Sequence, residues 1–173
     1  MAKPVVFITG GGRRIGAAIS SMLMQSGYYV LIHVRNSLSE AQSIINQHSE
    51  SNDGEICGDI VQADLLNDNE TLSLFDKCKK LIKRPVNLLI NNASIFEYDN
   101  IKTATLESWN RHQKSNLQVP FFLTQKFAQQ APEPEKLESG ELESRSCIIN
   151  IIDQRVQNLS LIHISEPTRR YAI

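Results

Sequence analysis

The stretch Thr9-Gly10-Gly11-Gly12-Arg13-Arg14-Ile15-Gly16 places three consecutive glycines and two guanidinium groups between an apolar run and a helical pattern. Glycines let a backbone come close to a ligand. The free N–H groups at a helix start favour phosphate, and arginine grips phosphate with a fork of donors. In the spacing Gly10-x-x-x-Arg14-Ile15-Gly16, the usual middle glycine of a dinucleotide-binding turn is replaced by Arg14. A second cation, Arg35, lies in His33-Val34-Arg35-Asn36-Ser37, a segment with no acid to meet ribose hydroxyls. Arg35 with Asn36 and Ser37, joined by Arg13 from the turn, has the chemistry of a cradle for a ribose-linked phosphate.

These groups meet only if a fold brings the ends of successive strands together. A β-branched run at 4–8, helical spacing at 15–24 and a strand-like run at 28–34 after the helix-ending Gly27 form one βαβ unit. The alternation continues with a polar helix at 38–48, a strand at 60–63, a helix at 67–83 and a strand at 86–90. A long helix at 106–130 and a fifth strand at 147–152 complete it. Strands that are apolar throughout and separated by helices predict a parallel sheet covered on both faces. The acidic run at 131–146, with Pro132, Pro134 and Gly140, reads as a solvated loop.

The chain of 173 residues suits one domain, and its 41% hydrophobic share is enough for a globular core. Eighteen basic against nineteen acidic residues leave a formal charge of −1, so no global field favours nucleic acid or anionic lipid. The first eight residues lack the order of a secretory signal, and no apolar run approaches the ~20 residues that span a bilayer. A cytoplasmic protein with no membrane partner is expected. Cys57, Cys78 and Cys147 are odd in number and lack metal-ligand spacing. They read as reduced thiols buried like small apolar groups, with no metal site. His48 and His112 have no partner pattern and are expected at the surface, and Trp109 is expected to pack.

With these residues in order, the chain resembles the short-chain dehydrogenase/reductases, over residues 3 to about 158. The resemblance rests on the glycine turn, on Asp64-Leu65 after the third strand, on Asn91-Asn92-Ala93-Ser94 after the fourth, and on Asn116 in the long helix. It implies a Rossmann-like doubly wound sheet of strand order 3-2-1-4-5, incomplete at its C-terminal end. It also implies that Asp64 and Leu65 hold an adenine ring, that Asn92, Ala93 and Ser94 line the cofactor pocket, and that Asn116 holds a water of a proton relay. In that frame His33, Arg35, Asn36 and Ser37 select NADPH over NADH, together with the turn residues Gly10, Arg13, Arg14, Ile15 and Gly16.

Within the family, the segments TGGGRRIG, HVRNS, NNASIF and NIID resemble the pteridine reductase branch, whose members reduce pterins or dihydropterins. By that resemblance Arg14 reaches both the cofactor phosphate and the pterin, Phe96 stacks on the flat heterocycle, and Asp153 replaces the usual catalytic serine. An acid there can assist proton delivery to a ring nitrogen, where a serine would polarise a carbonyl. A carbonyl reductase such as a 3-oxoacyl-carrier-protein reductase, or a noncatalytic nucleotide-binding protein, are the alternatives. The branch places its proton-donating tyrosine about thirteen residues after the aspartate, followed four residues later by a lysine. Here that spacing lands on Glu166 and Arg170. From Leu159 onward the sequence fits nothing in the branch and resembles the in-frame translation of a sequencing-library adapter. An NADP-binding domain at 1–158, a non-native tail at 159–173 and a chain without useful reductase activity are therefore expected. A full-length form would be a homo-oligomer through paired long helices.

Overall fold

The computed structural model describes residues 3–51 and 54–153. In chain order the strands are β1 (Val5–Ile8), β2 (Tyr29–Val34), β3 (Gly58–Gln62), β4 (Leu88–Asn91), β5 (Glu135–Lys136), β6 (Leu142–Glu143) and β7 (Cys147–Asn150). The helices are α1 (Arg14–Gln25), α2 (Leu38–Glu50), α3 (Asp68–Leu72), α4 (Leu74–Ile82), α5 (Leu106–Gln113) and α6 (Val119–Ala128).

Every side chain of β1 is buried, and successive ones enter different cores. Val5 and Phe7 join Leu31, Leu74, Leu89 and Leu123 on one face, while Val6 and Ile8 join Met24, Ile32 and Ile45 on the other. A strand apolar on both sides belongs at the centre of a sheet covered twice. β1 does lie there. The five-stranded sheet runs β3-β2-β1-β4-β7 with every pairing parallel, and Phe7 stands beside both Leu31 and Leu89. This is the expected 3-2-1-4-5 order, the fifth sheet strand being β7 because the acidic segment expected as plain loop folds a small antiparallel hairpin, β5-β6.

Two expected helices are divided. The one at 67–83 breaks at Ser73, whose Oγ donates to the Glu70 carbonyl at 3.1 Å between α3 and α4. The long one at 106–130 widens into a π turn at Lys114–Gln118 between α5 and α6. Pro120 supplies the reason: its ring has no N–H to donate and crowds the carbonyl four residues earlier, at Asn116.

Expectations about four single residues are corrected. Cys57 and Cys78 are buried, and burial pushes the Cys78 thiol up to about 12, but Cys147 is exposed because β7 is the edge of the sheet. His48 is buried between α1 and α2, its Nε2 2.7 Å from Ser21 Oγ. His112 is half-buried, with Nδ1 2.8 Å from the Ser108 carbonyl and Nε2 accepting the Glu97 N–H at 3.1 Å. Trp109, expected to pack, is 60% exposed on the outer side of α5. Among the described residues no helix is long and apolar enough to cross a membrane. The segment 159–173, with Glu166 and Arg170, lies outside the described residues.

Candidate functional site

The turns after β1 and β4 are stitched together by short polar side chains. Thr9 Oγ1 accepts the N–H groups of Asn92 and Ala93, each at 3.0 Å, and the Asn92 amide donates to the carbonyls of Thr9 and Gly10 at 2.9 and 3.1 Å. Ser20 Oγ donates to the Gly11 carbonyl at 3.0 Å from within α1. The first turn of α1 is pressed against this loop, so that a Cβ on Gly16 would lie 2.1 Å from the Gly10 oxygen. Arg14, standing where the usual turn has glycine, has φ +51°. A non-glycine residue held in the left-handed region costs of order 1 kcal/mol and concentrates at functional sites.

His33, the last residue but one of β2, meets this loop from within the core. It is almost fully buried, and the Gly10 N–H donates to its Nδ1 at 3.1 Å while its Nε2 lies 3.1 Å from the Ala63 carbonyl. A carbonyl only accepts, so Nε2 carries the proton and Nδ1 does not. Burial is the main reason its pKa is lowered to about 4, with a small further push from Lys77 against opposing pulls from the Ala63 carbonyl and Asp64. Its own carbonyl accepts the Gly11 N–H at 3.0 Å.

Beyond β2, Arg35 and Asn36 line a hollow of about 510 Å³ with Gln62, Asp64 and Glu70. The Asp64 N–H donates to Glu70 Oε2 at 2.9 Å, and Asp64 Oδ1 accepts the Leu66 N–H at 2.9 Å. Arg13, expected beside Arg35, is paired with Glu40 of α2 through Nε at 2.7 Å and through a terminal guanidinium nitrogen. The Arg13 hydrogen bonds hold the Glu40 carboxyl below its usual range.

A cleft of about 650 Å³ opens over the carboxyl ends of the strands. It is lined by Gly10, Arg13, Arg14, Ile15 and Gly16 from the turn, and by His33, Arg35, Asp64 and Leu65 from the next two strand ends. Asn92, Ala93, Ser94 and Phe96 line it after β4, and Asp153 after β7. Asn36 reaches only the adjoining hollow, and Ser37 and Asn116 line neither. Ser37 Oγ instead packs against Gly12, 2.8 Å from where a Cβ would sit. Asn116, on the π turn, clasps the backbone of Ile95: its Oδ1 accepts the N–H and its Nδ2 donates to the carbonyl, each at 2.9 Å. Thus Asn116 fixes the loop that carries Phe96, whose ring is 78% exposed at the cleft mouth.

Leu66, Ile95, Ser115, Ile151 and Ile152 also line the cleft; Ile95 lies within NNASIF and Ile151 and Ile152 within NIID, but none was expected as a site residue. Ser115 is legible only through its neighbour Asn116 once Pro120 is seen to bend the helix. A tyrosine and lysine four apart do occur, at Tyr98 and Lys102. Both are exposed on irregular chain, where that spacing does not create a shared helix face.

A strand-turn-helix with this cradle, followed by the Asn92 clasp, is matched at the level of sequence: the family model for short chain dehydrogenase matches residues 4–142. The chain belongs to the short chain dehydrogenase family. Among solved relatives of this short chain dehydrogenase, FolM alternative dihydrofolate reductase 1 from Brucella canis, complexed with NADP, is 34% identical with a TM-score of 0.77. The match covers 96% of this chain and 64% of that one. The same-named protein from Brucella suis, also in complex with NADP, is 33% identical with TM-score 0.77, over 97% of this chain and 66% of that one. The NADPH-dependent aldehyde reductase 2, chloroplastic, of Arabidopsis thaliana is 28% identical over 74% of this chain and 50% of its own length. The chain spans about half the length of the curated relatives it matches.

Proposed function

We propose that this short chain dehydrogenase binds NADPH and a pterin or dihydropterin in the one cleft, as a pteridine reductase does. The observation that carries this reading is Arg14, held at a left-handed φ in a position suited to glycine, on the same cleft as Phe96 and Asp153. Strain of that kind persists where a side chain is needed, and a guanidinium can serve a phosphate and a flat, acceptor-rich heterocycle together. The 34% identity to FolM alternative dihydrofolate reductase 1 supports the same substrate class, since dihydrofolate contains a pterin ring.

The residues fit the cofactor. Gly16 leaves room only for a hydrogen beside Gly10, so phosphate can approach the N–H groups at the start of α1. Asp64 and Leu65 would flank the adenine, while Arg35 and Asn36 would face the ribose phosphate, no acid lying between residues 33 and 37. Arg13 would join that cradle on leaving Glu40, while Ser37, packed against Gly12, supports it from behind. NADPH, when bound, supplies hydride.

Arg14 and Phe96 then orient the pterin, Ser94 lines the cofactor side of the cleft, Asn116 holds the Ile95 loop beside it, and the Asp153 carboxyl assists protonation of the ring nitrogen. Turnover by this chain is slow, because Glu166 and Arg170 stand at the family's tyrosine and lysine spacing. Loss of a general acid typically costs about 10²- to 10⁴-fold. Leu106, Leu117 and Phe121 leave apolar side chains exposed along α5, the π turn and α6, where the family pairs its long helices. Pairing of two chains there belongs to this reading.

The 28% identity to an aldehyde reductase favours a second reading, carbonyl reduction. Competition binding decides: NADPH-loaded chain should retain dihydropterin and ignore a simple aldehyde. Retention of the aldehyde alone would favour carbonyl reduction.

A further inference from the structure

We infer that His33 is a positioning residue which sets the cofactor turn through the single hydrogen bond from the Gly10 N–H to its Nδ1. This rests on the NADPH reading above and deepens it: His33 acts by shaping the turn, not as a contact to the ligand.

The geometry gives the ring two different jobs. Nε2–H anchors the imidazole to the Ala63 carbonyl at the end of β3, and Nδ1, left as an acceptor, fixes the Gly10 N–H at the end of β1. One side chain on β2 therefore registers three neighbouring strand ends. Phe7 presents its ring edge to the imidazole, 6.4 Å between centroids at 74°, which limits how the ring can rotate. Gly10 has φ +64° and its carbonyl faces Gly16, so the Gly10 peptide is the hinge on which the phosphate-binding N–H groups are aimed. Without an acceptor at Nδ1, the Gly10 N–H is left in a part-buried place with no partner, and the peptide turns to find water.

The two nitrogens can be removed separately. In His33→Asn, Oδ1 replaces the acceptor at Nδ1 but nothing reaches Ala63. In His33→Gln, Nε2 replaces the donor to Ala63 but nothing accepts from Gly10. The inference predicts that His33→Asn stays within about threefold of the parent chain in NADPH affinity, while His33→Gln loses roughly tenfold, a single hydrogen bond's worth. His33→Leu should match His33→Gln. Equal losses in Asn and Gln variants, or losses that track melting temperature alone, would overturn it.

A measurement on the unaltered chain is independent of folding in the variants. Nitrogen NMR should find the His33 ring protonated at Nε2 only, and the Gly10 amide protected from exchange before any NADPH is added. A ring protonated at Nδ1, or a freely exchanging Gly10 amide, would overturn the inference even if NADPH binds well. If the parent chain binds no NADPH while both NMR signatures are present, the functional reading fails and the hydrogen-bond geometry stands. The positioning role falls with that reading.

Discussion

The carbonyl oxygen of Gly10 lies 2.1 Å from where a Cβ on Gly16 would stand, a distance no side chain can occupy. The clash is with backbone, so it cannot be relieved by a rotamer change. Gly16→Ala must push α1 away from the turn and misdirect the N–H groups at the helix start. The expected outcome is a loss of NADPH binding by more than tenfold together with a lower melting temperature, measured by titration and thermal unfolding.

Arg14 offers the opposite combination. Arg14→Gly removes a strained φ of +51°, so stability should be unchanged or higher by up to ~1 kcal/mol. Affinity for dihydropterin in the NADPH complex should nevertheless fall at least tenfold. A variant that loses stability in parallel with binding would mean that Arg14 is a structural residue.

The proposed NADPH cradle makes Glu40 a competitor of the cofactor's phosphate for Arg13. Glu40 currently holds the guanidinium by two nitrogens. Glu40→Gln should free it and strengthen NADPH several-fold while leaving NADH nearly unchanged. Arg35→Asp should do the reverse, because a carboxylate would then face the phosphate. Equal effects on both cofactors in either variant would remove the phosphate from the account.

The fold was largely legible because β1, β2 and β4 carry uninterrupted apolar runs, and only a doubly covered sheet buries Val6 and Phe7 at once. The cleft was legible where glycines, arginines and the Asn91–Ser94 segment mark strand ends. What the pattern concealed depended on partners distant in sequence. His48 has no local reason to be buried until α2 lies on Ser21, and Asn116 gains its role from Ile95, twenty-one residues earlier. The pairing of Arg13 with Glu40 was hidden because nothing in its own segment reveals that partner. The break in the long helix was foreshadowed by Pro120, which periodicity alone does not weigh.

Acid should weaken the fold through His33. Its pKa is lowered from 6.5 to about 4, so between those values the unfolded chain binds a proton that the native chain does not. Stability is therefore fully present above pH 6.5 and falls as pH drops toward about 4, by roughly 3 kcal/mol across the window. Lys77 from α4 and Asp64 after β3 are the charged groups facing the ring, and they act in opposite directions. Denaturant unfolding from pH 4.5 to 7.5 should show this slope, and His33→Asn should flatten it.

The most direct test is titration of dihydropterin into the NADPH-saturated chain, followed by calorimetry or by quenching of pterin fluorescence. The account predicts saturable one-to-one binding that is weakened at least tenfold by Arg14→Gly and by Phe96→Ala, with no competition from a simple aldehyde. Saturation by NADPH without any binding of dihydropterin, or displacement of the pterin by the aldehyde, would contradict it.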